Sequence, residues 1–191
     1  MPENKITTAI EQQVALADGF LRQQQALLHD IAALLLDCFH SGGRLFICGH
    51  GPFGALASLL GQAFLFRQTL ERPALPAFAL SNDAGLATFL AAEDQSDSYF
   101  SRQLRALTTE RDVVLLLAGT YLGRADQEVI ATVRQTGGRV VLIASRQVEL
   151  GVPLPDITLA IPSDSEPRLL ECTLTIGNLL CSLVEGDLFG I

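Results

Sequence analysis

Few side chains in this chain are placed to do chemistry, and His50 is the first of them. Of the three histidines, His29, His40 and His50, only His50 sits in a turn of the kind that holds a ligand. It lies between Gly49 and Gly51, after an apolar run over residues 44–48 and before an apolar helical pattern over residues 53–66. A strand, a glycine turn and a helix start together make an anion site, because the first helical N–H groups lack partners and the dipole favours negative charge. GHGPFG is neither a Walker loop, since no Gly-Lys-Ser/Thr follows, nor GxGxxG, since Ala55 or Leu56 stands at the third glycine. An ordinary strand-to-helix turn is the alternative. The histidines share no metal-ligand spacing, so no metal is expected, and nothing in the chain calls for a cofactor. Ser81 and Asp83 close a second apolar run, Gly119, Thr120 and Arg124 follow a third, and Glu171 falls early in the closing helical pattern. Arg124 has the guanidinium geometry that pairs with phosphate, or is an exposed loop arginine. Asp126 reads as the N-cap of the helix after it.

These residues meet only if the segments that carry them stack. Residues 6–39 repeat apolar side chains at steps of three and four, the mark of helix, with the polar run 22–25 as an exposed face or a break. Beyond them, strand patterns at 44–48, 77–80, 112–117, 139–144 and 157–161 alternate with helical ones at 53–66, 84–93, 97–107, 127–134 and 167–183. Such alternation predicts an α/β protein, a three-layer αβα sandwich on a parallel sheet with right-handed crossovers. Ligands then bind outside the carboxyl ends of the strands, where the turns after residues 48, 80 and 117 gather. One folded unit is expected, with residues 1–40 as a helical oligomerisation arm and 41–191 as the domain. An arm of that length cannot all lie on one small sheet, and a second copy of the protein is the simplest partner for it.

Composition narrows the function. The chain is 49% hydrophobic with a mean hydropathy of +0.34, which suggests surface buried between subunits. No apolar run of membrane-spanning length and no signal-peptide core in MPENKITTAI are evident, so a cytoplasmic protein is expected. A formal charge of −8 opposes direct binding to nucleic acid. Cys38, Cys48, Cys172 and Cys181 are scattered without a CxxC pair, and read as reduced, buried thiols.

Four blocks carry a resemblance: GGRLFICGHG, RPALPAFALSND, YFSRQLRALTTERDVVLLLAG and LLECTLTIGNLLCSLVEGDLF. They resemble successive blocks of the sugar isomerase (SIS) domain family, in the branch of bacterial phosphoheptose isomerases and DnaA-associating DiaA proteins. The similarity runs from about Gln25 to Phe189, without a gap over residues 76–117. It implies a five-stranded parallel sheet of flavodoxin-like kind, an arm used in tetramer assembly, and ligand sites at subunit interfaces.

The family's working residues mostly do not carry over. Where isomerases of the family resemble one another in GNGGS, this chain has Gly49-His50-Gly51-Pro52-Phe53. Leu59 and Ala63 stand at the positions of a histidine and a catalytic glutamate, and Asn178 at that of a second histidine. The family's phosphate loop Ser-Thr-Ser-Gly-Asn-Ser is replaced by residues 118–126, with Thr120 as the one hydroxyl kept from the usual set. Glu171 matches the family but has lost its partners. The resemblance therefore implies no catalytic residue, and a non-catalytic oligomeric scaffold or phosphosugar sensor; the alternative is a sedoheptulose 7-phosphate isomerase with a rebuilt site. Gly49, His50, Gly51, Ser81, Asp83, Gly119, Thr120, Arg124 and Glu171 form the expected ligand set. Turn amides predict weak anion binding, no tighter than millimolar or about 4 kcal/mol, while the rings of Phe53 and Tyr121 predict a cavity too small for a seven-carbon sugar phosphate. Near the C-terminus, Leu188 and Phe189 resemble the pair with which DiaA proteins contact DnaA, or else are tucked on their own domain.

Overall fold

The computed structural model describes residues 2–68 and 71–190, with the side chains described from Asn4 onward. In chain order the helices are α1 (Pro2–Val14), α2 (Gln25–His40), α3 (Pro52–Leu65), α4 (Ala84–Ala92), α5 (Tyr99–Leu107), α6 (Arg124–Thr136) and α7 (Glu166–Phe189). The strands are β1 (Leu45–Gly49), β2 (Ala77–Ala79), β3 (Val113–Leu117), β4 (Arg139–Ser145) and β5 (Ile157–Ile161). They form a five-stranded sheet in the order β2-β1-β3-β4-β5, and every neighbouring pair is parallel.

β1 and β3 are buried at every residue, as continuous apolar strands must be when helices cover both faces. Side chains alternate between the faces. Leu45, Ile47, Val113, Leu115, Val141 and Ile143 pack with α2, α3 and α7 in one core. Phe46, Cys48, Val114, Leu116, Val140 and Leu142 pack with α5 and α6 in the other. The four cysteines are free and buried. Burial pushes the Cys38 and Cys172 thiols up to about 11 and Cys181 to about 12, which leaves them protonated and unreactive.

The polar run after residue 21 is a break. α1 continues through a π-helical stretch (Ala15–Leu21), and the chain restarts at α2 after Gln24 leaves helical dihedrals. Leu28, Ile31 and Leu35 of α2 are buried in the domain's own core, whereas Ile6, Ile10 and Val14 of α1 stay exposed at steps of four. Two helices after the arm differ from their expected bounds by three residues or more at one end. α6 opens at Arg124, so Asp126 lies in its first turn and is not its N-cap. Its Oδ2 accepts the Gly123 N–H at 2.8 Å and satisfies a donor there from inside the helix. α7 runs past residue 183 to Gly190, which ends it in the left-handed region at φ 70°. Against the sequence-based expectation, α7 is long and apolar enough to cross a membrane, with a mean hydropathy of 1.3 over its best 18-residue window. Half of that window is buried inside the domain, and the helix is a core element.

Candidate functional site

With strand order 2-1-3-4-5, the winding reverses between β1 and β3, and a ligand crevice is expected outside their carboxyl ends. The turn after β1 is tight. Gly51 has φ +54°, and a Cβ on Gly49 would lie 2.7 Å from the Phe53 carbonyl oxygen. Pro52, at the first position of α3, has no N–H to satisfy. The Phe53 and Gly54 N–H groups donate to the carbonyls of His50 and Gly51 at 3.1 and 3.0 Å, so the turn itself uses two amides expected to be open to an anion.

Beside this turn lies a crevice of about 440 Å³, lined by His50, Gly51, Ser81, Asn82, Asp83 and Tyr99 among others. Most of its polar groups are engaged. Ser81 Oγ donates to the Gly49 carbonyl at 3.3 Å, and Asn82 Oδ1 accepts from Ser58 Oγ at 2.9 Å. The Asp83 carboxylate accepts the Leu86 N–H at 2.9 Å and caps α4. The Tyr99 hydroxyl accepts the Asp83 N–H at 2.9 Å and donates to the Asp83 carbonyl at 3.2 Å. The His50 ring packs edge-on to Phe100, with centroids 4.7 Å apart, and is about half exposed at 47%.

Two contacts join the β1 turn to the turn between β3 and α6. His50 Nε2 lies 3.6 Å from Asp126 Oδ1, and the buried Phe53 ring covers Gly119, where a Cβ would come within 3.3 Å of it. Asp126 is buried and its Oδ1 has no hydrogen-bond partner. Burial raises its carboxyl above the ordinary 3.8, opposed by the Gly123 N–H and by His50. These contacts stand between the first crevice and a second of about 510 Å³, which Thr120, Tyr121, Gln127 and Glu149 help to line. The single pocket expected above Gly49–Gly51 and Gly119–Thr120 is thus two. Phe53 lines neither of them, and its ring lies over Gly119. Tyr121 is 77% exposed and borders the second crevice.

The remaining candidates lie elsewhere. Arg124 is exposed and faces Glu128 at 3.3 Å and Asp97 at 3.8 Å. Glu171 pairs with Arg168 at 2.6 Å, and Arg168 also donates to the Ala9 carbonyl of α1, so both face the arm. Leu59 is exposed, Ala63 gives its carbonyl to Arg72, and Asn178 accepts from Gln68 Nε2 at 3.1 Å; all three lie outside both crevices. Leu188 and Phe189, in the last turn of α7, are half-buried and pack against the core shared with α2 and α3. Sequence reasoning missed Tyr99 and Asn82 as lining residues, and missed the meeting of His50 with Asp126, which no spacing along the chain announces. It also missed a cavity of about 630 Å³ between the arm and the start of α7, bordered by Gln12, Phe20, Arg146, Ser163 and Arg168.

A doubly wound parallel sheet with its crevice at the β1 turn, preceded by a helical arm, defines a protein of the SIS fold. A phosphoheptose isomerase structure from Francisella tularensis superposes with a TM-score of 0.87, covering 97% of this chain and 98% of that one at 21% identity. No protein-family profile matches the chain. It is 31% identical over 189 residues to the phosphoheptose isomerase of Thermodesulfovibrio yellowstonii, covering 99% of this chain and 94% of the relative. Over 184 residues it is 33% identical to that of Pelobacter propionicus, covering 96% and 97%. The chain belongs to the phosphoheptose isomerase family of SIS-domain proteins.

Proposed function

We propose that this protein is an isomerase of a phosphorylated sugar, converting sedoheptulose 7-phosphate to glycero-manno-heptose 7-phosphate in a rebuilt site. Full-length similarity to phosphoheptose isomerases carries the reading, since both relatives match from end to end and bear that name. The expected scaffold finds no such support. Interconverting ketose and aldose needs a group that takes a proton from one carbon and returns it to the next, and the crevice at the β1 turn offers an imidazole for it. The test is direct: purified protein with sedoheptulose 7-phosphate, followed by NMR for the aldose signal. Conversion well above a no-protein control supports the reading, and none overturns it.

The absence of ionisable side chains at Leu59, Ala63 and Asn178 favours a second reading, a non-catalytic phosphosugar-binding protein. Calorimetry with the same ketose separates the two, since binding without turnover belongs to the second alone. A DnaA-like partner docking on Leu188 and Phe189 has less behind it, because both side chains already pack on the domain. Assembly into a homotetramer, working in the cytoplasm, completes the proposal, and the exposed stripe Ile6, Ile10 and Val14 supports the assembly.

A further inference from the structure

Among the ionisable side chains lining the crevice at the β1 turn, that of His50 is the one that makes no hydrogen bond among the described residues. Asp83 Oδ1 is engaged in capping α4, and the Tyr99 hydroxyl accepts the Asp83 N–H and donates its hydrogen to the Asp83 carbonyl. His50 remains, with its ring half exposed. Behind it stands Asp126, anchored through Oδ2 to the Gly123 N–H, with a buried Oδ1 that has no hydrogen-bond partner. A buried acceptor without a donor is uncommon and asks for a reason. The reason on view is His50 Nε2, 3.6 Å away.

We infer that His50 is the catalytic base of this crevice and that Asp126 is its positioning residue, an inference that rests on the isomerase reading above. At 3.6 Å the pair is not yet hydrogen-bonded, and a shift of about 0.6 Å brings it to about 3.0 Å. The imidazole is the partner free to move, because the carboxylate is buried and tied to α6. Catalytic hydrogen bonds are often long before substrate arrives. Once Nε2–H donates to Asp126, the Nδ1 lone pair is left for a ligand, the arrangement in which a carboxylate fixes the tautomer of a general base.

The chemistry balances with that one base. Imidazole takes a proton from C1 of the ketose, the C–H electron pair becomes the second C1–C2 bond, and the carbonyl oxygen on C2 takes a proton from water. The imidazolium then returns its proton to C2 while the hydroxyl on C1 gives its proton to water and becomes the aldehyde oxygen. No oxidant or reductant is needed. One ring serves both carbons because they are adjacent.

The test is hydrogen exchange in D2O, read by proton NMR as loss of the C1 protons of sedoheptulose 7-phosphate, D-ribulose 5-phosphate and D-fructose 6-phosphate in separate reactions. Wild type is expected to exchange at least one ketose, and His50→Gln to lower that rate by about 10²–10⁴. Unchanged circular dichroism and melting temperature show that the variant is folded. Exchange of sedoheptulose 7-phosphate that survives in His50→Gln within about threefold overturns the inference and leaves the isomerase reading standing. His50-dependent exchange of another ketose alone overturns the choice of heptose substrate and supports the base. Exchange of none of the three overturns both. Asp126→Asn is expected to lower kcat about 10²-fold with KM within about threefold, and to remove the single Nε2–H tautomer of His50 from the imidazole ¹⁵N spectrum. An unchanged kcat and spectrum overturn the positioning role.

Discussion

Asp126 shows how much one carboxylate can be asked to do. On the sequence it is a helix cap; in the fold it satisfies the start of α6 with one oxygen and faces His50 with the other. Its location has a stability consequence that is separate from catalysis. Burial raises its folded-state pKa above the ordinary 3.8, so folding favours the protonated form. The stability linked to that proton is fully present below the unfolded value and is lost as pH rises through the folded one. Asn cannot ionise and keeps an oxygen for the Gly123 N–H. Asp126→Asn is therefore expected to melt higher than wild type at about pH 8, with the gain shrinking toward about pH 4. Thermal melts of both proteins across that range decide it, and a gain that grows on acidification contradicts the assignment.

At the scale of elements, the join between α3 and α7 is close. A Cβ on Gly177 would lie 2.4 Å from a Leu60 methyl group, so the two helices approach through that glycine. Beyond the end of α3, Arg72 donates Nε to Glu185 Oε1 at 2.6 Å and another nitrogen to the Ala63 carbonyl at 2.9 Å. Both side chains are almost wholly buried, at 1% and 7% exposure. Neutralising one member leaves the other charge buried and unpaired, which typically costs about 3–5 kcal/mol. Glu185→Gln is expected to lose stability in that range in urea unfolding at neutral pH. A loss under about 1 kcal/mol is the value of an exposed pair, and it removes this join as an anchor. The same contact explains why Leu188 and Phe189 are held down. The Phe189 ring lies 6.0 Å from the Arg72 guanidinium, and the pair closes α7 onto the domain.

For the molecule as a whole, the arm is two things at once. α2 is a layer of the sandwich, while α1 carries Ile6, Ile10 and Val14 out into solvent on one face, an apolar stripe that a second copy would cover. Light scattering at micromolar concentration is expected to give a multiple of the 20.5 kDa chain mass, and Ile10→Asp to lower it. A wild-type mass equal to one chain ends this reading of the arm.

Much of the architecture was legible before any coordinates. Alternation of apolar strand patterns with helical ones, read at 44–48, 112–117 and 139–144, follows from local periodicity, which is written along the chain. Helix ends were less so. α6 starts early because Asp126 satisfies the Gly123 N–H from inside its first turn, and α7 runs on to Phe189, whose ring meets Arg72 from a distant part of the chain. The glycine turn after β1 was visible as a candidate site, since its residue types alone demand a tight bend beside a helix start. Only the tertiary structure decided what the turn faces. Strand order brings β3 beside β1, and that adjacency sets Phe53 over Gly119 and His50 beside Asp126, 76 residues further along the chain. A side chain's chemistry belongs to its residue type, but its partner is chosen by the sheet that brings distant turns to one edge.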